Sequence, residues 1–314
     1  MASGGELLVL WRPAVCAAAV ALFTCAATAA DESLPPAPAP SVREVVVTAQ
    51  APEAAHERRR RLDAFVRRVP ALNNGQALAR WTKPICPVVV GMSQAQGEYV
   101  LLRLFEVARA AGAPVIKAGA CETNVYIVAT ADPEGLVKAW GRRSPVIFAE
   151  RPDAEVRDFQ GTPRAVRAWY GASLDRLTTS ADSPFEGLEG VARNIRMVHH
   201  GDDSRLTSNS PYALTSAILV VDSARASGIR VGALADYLAL AALAQLRPQA
   251  GDTDAPSILK LFAAPRGSDP PSGLTAWDTA FLHALYNTRL EDMHQATSVA
   301  AHMNAELSRA SSPP

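Results

Sequence analysis

The chain has 314 residues, with 31 Lys+Arg against 31 Asp+Glu and a formal net charge of zero. A balanced chain has no general electrostatic reason to bind nucleic acid. The length is ample for a substantial core, while the apolar run from Leu7 to Ala30 contains Arg12, ends in small residues and makes a poor permanent membrane span.

The same run has the shape of a secretory signal peptide, with an apolar core and Ala27-Thr28-Ala29-Ala30 ahead of Asp31-Glu32. Residues 1–30 are therefore expected to be removed, leaving about 284 residues in the periplasm or outside the cell. Leu22-Phe23-Thr24-Cys25 also admits a lipoprotein reading with Cys25 acylated, although Thr24 stands where such signals place Gly, Ala or Ser. Residues 31–55 hold Pro35, Pro36, Pro38, Pro40 and Pro52 among alanines, the composition of an extended tether.

Residues 56–78 open with Arg58, Arg59, Arg60 and Arg61, followed by Leu62, Phe65, Val66 and Val69 at helical spacing. The basic face is either solvated or a contact for anionic lipid headgroups. Residues 79–308 read as one globular domain and 309–314 as a flexible tail. Within the domain, strands are predicted at Pro87–Val90, Val125–Ala129, Ala165–Tyr170, Ile195–His199 and Ala217–Val221. The last is continuously apolar and is expected to be central. Helices are predicted at Ser93–Ala111, with Val100, Leu101, Leu104, Phe105 and Ala108 on one face, and at Pro133–Trp140, Val231–Leu246, Ser257–Phe262, Thr275–Tyr286 and Leu290–Leu307. Strands early and helices late imply an α+β fold, a mixed β-sheet with packed helices and a helical C-terminal third.

Of the four cysteines, Cys16 and Cys25 fall in the leader. Cys86 and Cys121 remain, and in an oxidising compartment they are expected to pair; a redox or metal pair is the competing reading, without a CxxC to support it. Ser93 follows a strand in Gly91-Met92-Ser93-Gln94-Ala95, close to the G-x-S-x-G nucleophile elbow, and Asp222 and His283 complete the chain order of a serine hydrolase. Ser93 with Gln96 is equally a helix capping box, which explains both residues without chemistry. His199-His200-Gly201-Asp202-Asp203 is the densest group of metal-ligand types, but neighbouring residues at a strand end point to opposite faces. His283, His294 and His302 share no helix face, and no cofactor motif is present.

Arg43-Glu44-Val45-Val46-Val47-Thr48-Ala49-Gln50 resembles the TonB box of TonB-dependent outer-membrane receptors, which implies TonB as a partner reached by strand addition through Val45, Val46, Val47 and Thr48. The same residues suit a first edge strand. Ala79-Arg80-Trp81, Pro84 to Gly91, Cys121 to Val125 and Val166 to Tyr170 resemble a family of uncharacterised exported alphaproteobacterial proteins. Ile218 to Asp222, the segment around Asp236, Ser257-Ile258-Leu259 and Leu274-Thr275…Asp278…Leu282…Leu285-Tyr286 are distantly similar to the second half of secreted metzincin-like peptidases, which implies a degenerate zincin-like fold. Where that pattern carries HExxH, this chain has Asp236-Tyr237-Leu238-Ala239-Leu240-Ala241-Ala242-Leu243, which cannot supply two ligands and a base on one helix face. The expectation is a non-catalytic binding or scaffolding module, a pseudoenzyme without metal, with the Ser93 hydrolase and a TonB-linked accessory protein as alternatives.

Overall fold

A computed structural model describes residues 52–73, 77–117, 119–144, 148, 151–174, 212–263, 269–289, 292 and 294–310. The TonB-box-like segment, the leader and the strand expected at Ile195–His199, with the histidine pair at its end, lie outside the described residues.

The fold is α+β, built on a mixed four-stranded sheet. The elements run α1 (Pro52–Arg68), β1 (Leu72–Asn73), β2 (Ala77–Leu78), β3 (Pro87–Val90), α2 (Gln94–Ala111), β4 (Val125–Thr130), α3 (Pro133–Arg143), α4 (Asp153–Gly161), β5 (Val166–Leu174), β6 (Tyr212–Asp222), α5 (Val231–Leu243), a 3-10 turn at Ile258–Phe262, α6 (Ala276–Asn287) and α7 (Gln295–Ala310). Strand order is β3-β4-β6-β5, with β1 and β2 forming a separate small ladder. β3, β4 and β6 are parallel, in register Val88↔Tyr126 and Tyr126↔Ile218, and β5 closes the edge antiparallel to β6.

Side-chain alternation sorts the strands between two cores. Val125, Ile127, Ala217, Leu219 and Val221 face a large core shared with α1, α2, α5, α6 and α7. Tyr126, Ile218, Val220 and Trp169 face a smaller aromatic core with Val137 and Trp140 of α3 and Phe159 of α4. Because helices cover both faces, β6 is continuously apolar from Ala217 to Val221 rather than alternating. In the smaller core Trp169 meets Phe148 edge-on at 5.0 Å and Phe159 at 4.9 Å.

The disulfide Cys86–Cys121 joins the residue before β3 to the loop before β4, across α2, with Cα atoms 5.9 Å apart. Asn124 adds a polar clamp there, accepting from Cys86 N at 2.7 Å and donating to Pro84 O at 3.0 Å.

Several elements differ from the sequence expectation. α1 is part of the main body, because Leu62, Phe65, Val66 and Val69 are fully buried and Phe65 packs edge-on against Trp277 and Phe281. Its arginines are partly committed: Arg58 donates to Asn304 and Ser308 of α7, and Arg61 lies over the Trp277 ring. α2 buries Val107 and Ala111 beside Val100 and Leu104, while Leu101 and Phe105 are only half-buried. α5 stops at Leu243 because the next residues pair with the segment after α1 instead: Ala71 N donates to Gln245 O and Arg247 N to Val69 O. α7 begins at Gln295, after Asp292 accepts from His294 N and Ser298 Oγ. α4 had no expected counterpart.

Candidate functional site

The carboxyl ends of the parallel strands are the first place to look for chemistry. β3 leads into α2 on one face and β4 into α3 on the other, so the chain leaves adjacent strands in opposite directions, which in doubly wound sheets opens a ligand crevice. Here tight turns and capped helix starts stand at that position. Gly91, at φ +80°, sits so close to β4 that a Cβ would lie 1.9 Å from Ala129 O. The first turn of α2 is closed by Ser93, whose Oγ accepts from Gln96 N at 3.4 Å while the Gln96 side chain accepts from Ser93 N at 3.3 Å. The first turn of α3 is closed by Asp132, which accepts from Gly135 N.

Ser93, Asp222 and His283 therefore have separate local partners. Asp222, at the end of β6, accepts from Ala224 N and Arg225 N and pairs with Arg225 Nε at 3.3 Å, closing its own turn. His283 on α6 is bonded through Nδ1 to Glu306 of α7. No interaction links any two of the three among the described residues. His302 meets Thr288 through Nδ1 at 3.1 Å, and no group of three His, Cys, Asp or Glu side chains able to hold a metal occurs among the described residues.

α5 occupies the centre of the large core. Ala233 to Asp236 and Leu238 to Leu243 are buried, with Tyr237 half-buried. Asp236, 6 % exposed, accepts from Arg103 Nε at 2.5 Å and from Leu274 N at 2.9 Å, fastening α5 to α2 and to the segment entering α6. The bond to Asp236 is the main reason the Arg103 guanidinium is held above its ordinary pKa.

The last carbonyls of α5 lack intrahelical donors, and three aromatic side chains supply them. Tyr170 Oη donates to Ala241 O at 2.8 Å, Trp81 Nε1 to Ala242 O at 2.8 Å and Tyr286 Oη to Leu243 O at 2.7 Å. Burial raises both phenol pKa values, so the hydroxyls stay protonated as donors.

Ser257, Ile258, Thr275 and Asp278 converge on one fully buried carboxylate. Asp278 accepts from Ser257 Oγ at 2.5 Å, Ile258 N at 2.8 Å and Thr275 N at 2.9 Å. Desolvation raises its pKa against the opposing pull of these bonds. Together these contacts tie the 3-10 turn to the start of α6.

The remaining feature is a cleft of about 120 Å³ along the outer edge of β5. Arg151, Arg164, Arg167 and Arg247 line it, with Glu155 and Asp158 the acidic members. Arg151 pairs with Glu155 at 3.3 Å, donates to Tyr170 O at 2.5 Å and lies over the Trp169 ring at 5.5 Å. Arg164 pairs with Asp158 at 2.8 Å. Sequence reasoning missed this cluster; its arginines come from the turn before α4, the α4–β5 region and the chain after α5, and no spacing announces them.

Neither a protein-family model nor a curated protein nor a solved structure matches this chain.

Proposed function

We infer that this protein is an exported, non-catalytic binding or scaffolding module of the cell envelope, with a degenerate metzincin-like peptidase ancestry. The observation that carries this reading is the division of labour around α5. The residues that resemble the peptidase pattern all serve structural hydrogen bonds: Leu274 and Tyr286 bond to α5, and Ser257, Ile258, Thr275 and Asp278 fasten the neighbouring 3-10 turn to the start of α6. The helix positions where that pattern holds its chemistry carry residues such as Leu240 and Ala241, packed in the core. Export is supported by the leader-like N-terminus and by a structural disulfide, which persists in oxidising compartments. TonB, through Val45 to Thr48, remains the proposed partner.

The test combines location with chemistry. The mature protein should be released by osmotic shock, begin near Asp31, contain no stoichiometric zinc and resist labelling by a fluorophosphonate. Labelling at Ser93 that is lost in Ser93→Ala would establish the hydrolase instead, and one zinc per chain would overturn the pseudoenzyme reading.

A further inference from the structure

We propose that the cleft along β5 is an oxyanion site that takes the carboxylate or phosphate group of a small ligand. It adds a site to the binding-module reading and stands on different residues. Size sets the first limit: a cleft of about 120 Å³ admits one such group with a short attachment and is too small for a folded partner.

Charge sets the second. Glu155 and Asp158 are each taken by one guanidinium, Arg151 and Arg164. Arg167 and Arg247 then have no carboxylate within ion-pair distance among the described residues. Arg247 is exposed and donates Nε to Pro70 O at 3.0 Å. Arg167 is 4 % exposed, donates Nε to Thr162 O at 3.2 Å, and its Nη1 is buried without a partner. Glu134 and Asp222 act on it only from beyond contact, and Arg164 and Arg225 oppose them; burial dominates and lowers its pKa. A buried guanidinium with an orphan donor is costly unless an acceptor arrives. The planar fork of arginine suits a two-oxygen acceptor, so carboxylate and phosphate are the ligand chemistries that complete the set.

The shape of the edge agrees. Tyr170 O points away from β6 toward Arg151, and in an antiparallel edge strand the residue two before it turns its backbone the same way. Ala168, which lines the cleft, therefore presents an N–H beside the arginines. The alternative role for the cluster is simple protection of a sheet edge by charge, which requires no ligand.

The experiment uses the oxidised mature protein at constant ionic strength, titrated calorimetrically with sodium acetate and, separately, sodium phosphate against a chloride control. Saturable one-to-one binding of either anion is expected, accompanied by a rise in melting temperature. Acetate alone would point to an organic acid as the natural source, phosphate alone to a phosphate ester. Arg247→Gln, at an exposed position, should weaken binding at least threefold, and Arg167→Met should abolish it; should Arg167→Met not fold, Arg247→Gln and Arg164→Gln decide. Absence of saturation by both anions at millimolar concentration, or binding undiminished in Arg247→Gln, would overturn the assignment, leaving export and lack of catalysis untouched.

Discussion

Tyr170→Phe and Tyr286→Phe test the account of α5 most directly. Each removes one oxygen and leaves ring packing intact, so the loss reports the polar contact rather than a cavity. In the native protein the two hydroxyls satisfy Ala241 O and Leu243 O, at 2.8 Å and 2.7 Å, on either side of the carbonyl bonded to Trp81. Each substitution therefore strands a buried acceptor. A buried group left unsatisfied costs about 1–3 kcal/mol. For a body of this size each kcal/mol corresponds to roughly 2–4 °C in melting temperature. Urea unfolding by far-UV circular dichroism with the disulfide intact should show the loss in midpoint without a change in slope. Tyr99→Phe, 44 % exposed on α2, is the control and should stay within about 0.5 kcal/mol of the parent. The double substitution should be non-additive, because the two carbonyls share one helix end. If both core variants matched the control, the carbonyls would have other donors and the aromatic clamp would not be what stabilises the end of α5.

Three further outcomes follow from the same structure. Replacing Cys86 and Cys121 together by serine opens the loop across α2, and the entropic estimate is a loss of roughly 3–4 kcal/mol, read from the urea midpoint; a difference below about 1 kcal/mol would refute it. Asp278 has a folded pKa raised by burial, so its contribution is full below the ordinary carboxylate value and is lost as pH rises through the raised one. Asp278→Asn should flatten that part of the stability profile relative to the parent, and parallel pH profiles would refute the assignment. Val46→Pro removes a ladder donor from the TonB-box-like segment. It should weaken binding to the periplasmic domain of TonB at unchanged melting temperature, whereas a lower melting temperature without TonB binding in the parent would favour an edge strand.

Local pattern carried much of the architecture. Pro87–Val90 is a strand because β-branched residues follow a disulfide-anchored proline, and Ser93 starts α2 because its capping box is written within four residues. β6 was recognisable as central because only a strand covered on both faces tolerates an unbroken apolar run. What escaped the sequence depends on tertiary partners. α4 buries one side chain, Phe159, and has no side-chain cap, so nothing in Asp153–Gly161 announces a helix before Trp169 provides a surface for it. The end of α5 is invisible locally, since Ala244, Gln245 and Leu246 continue the apolar pattern; it is fixed by competition from the backbone of Val69 and Ala71.

The same distinction bears on the peptidase-like residues. Asp236 and Asp278 both fall in the peptidase-like pattern, and in the structure Asp236 joins α5 to Arg103 and Leu274 while Asp278 gathers Ser257, Ile258 and Thr275. The arginines of the β5 cleft are the reverse case: ordinary in sequence, they acquire meaning only when three separated segments place them together and leave one guanidinium nitrogen buried without an acceptor. In this protein a spaced motif reports how the core is fastened, whereas the arginines of the proposed oxyanion site are marked by no spacing.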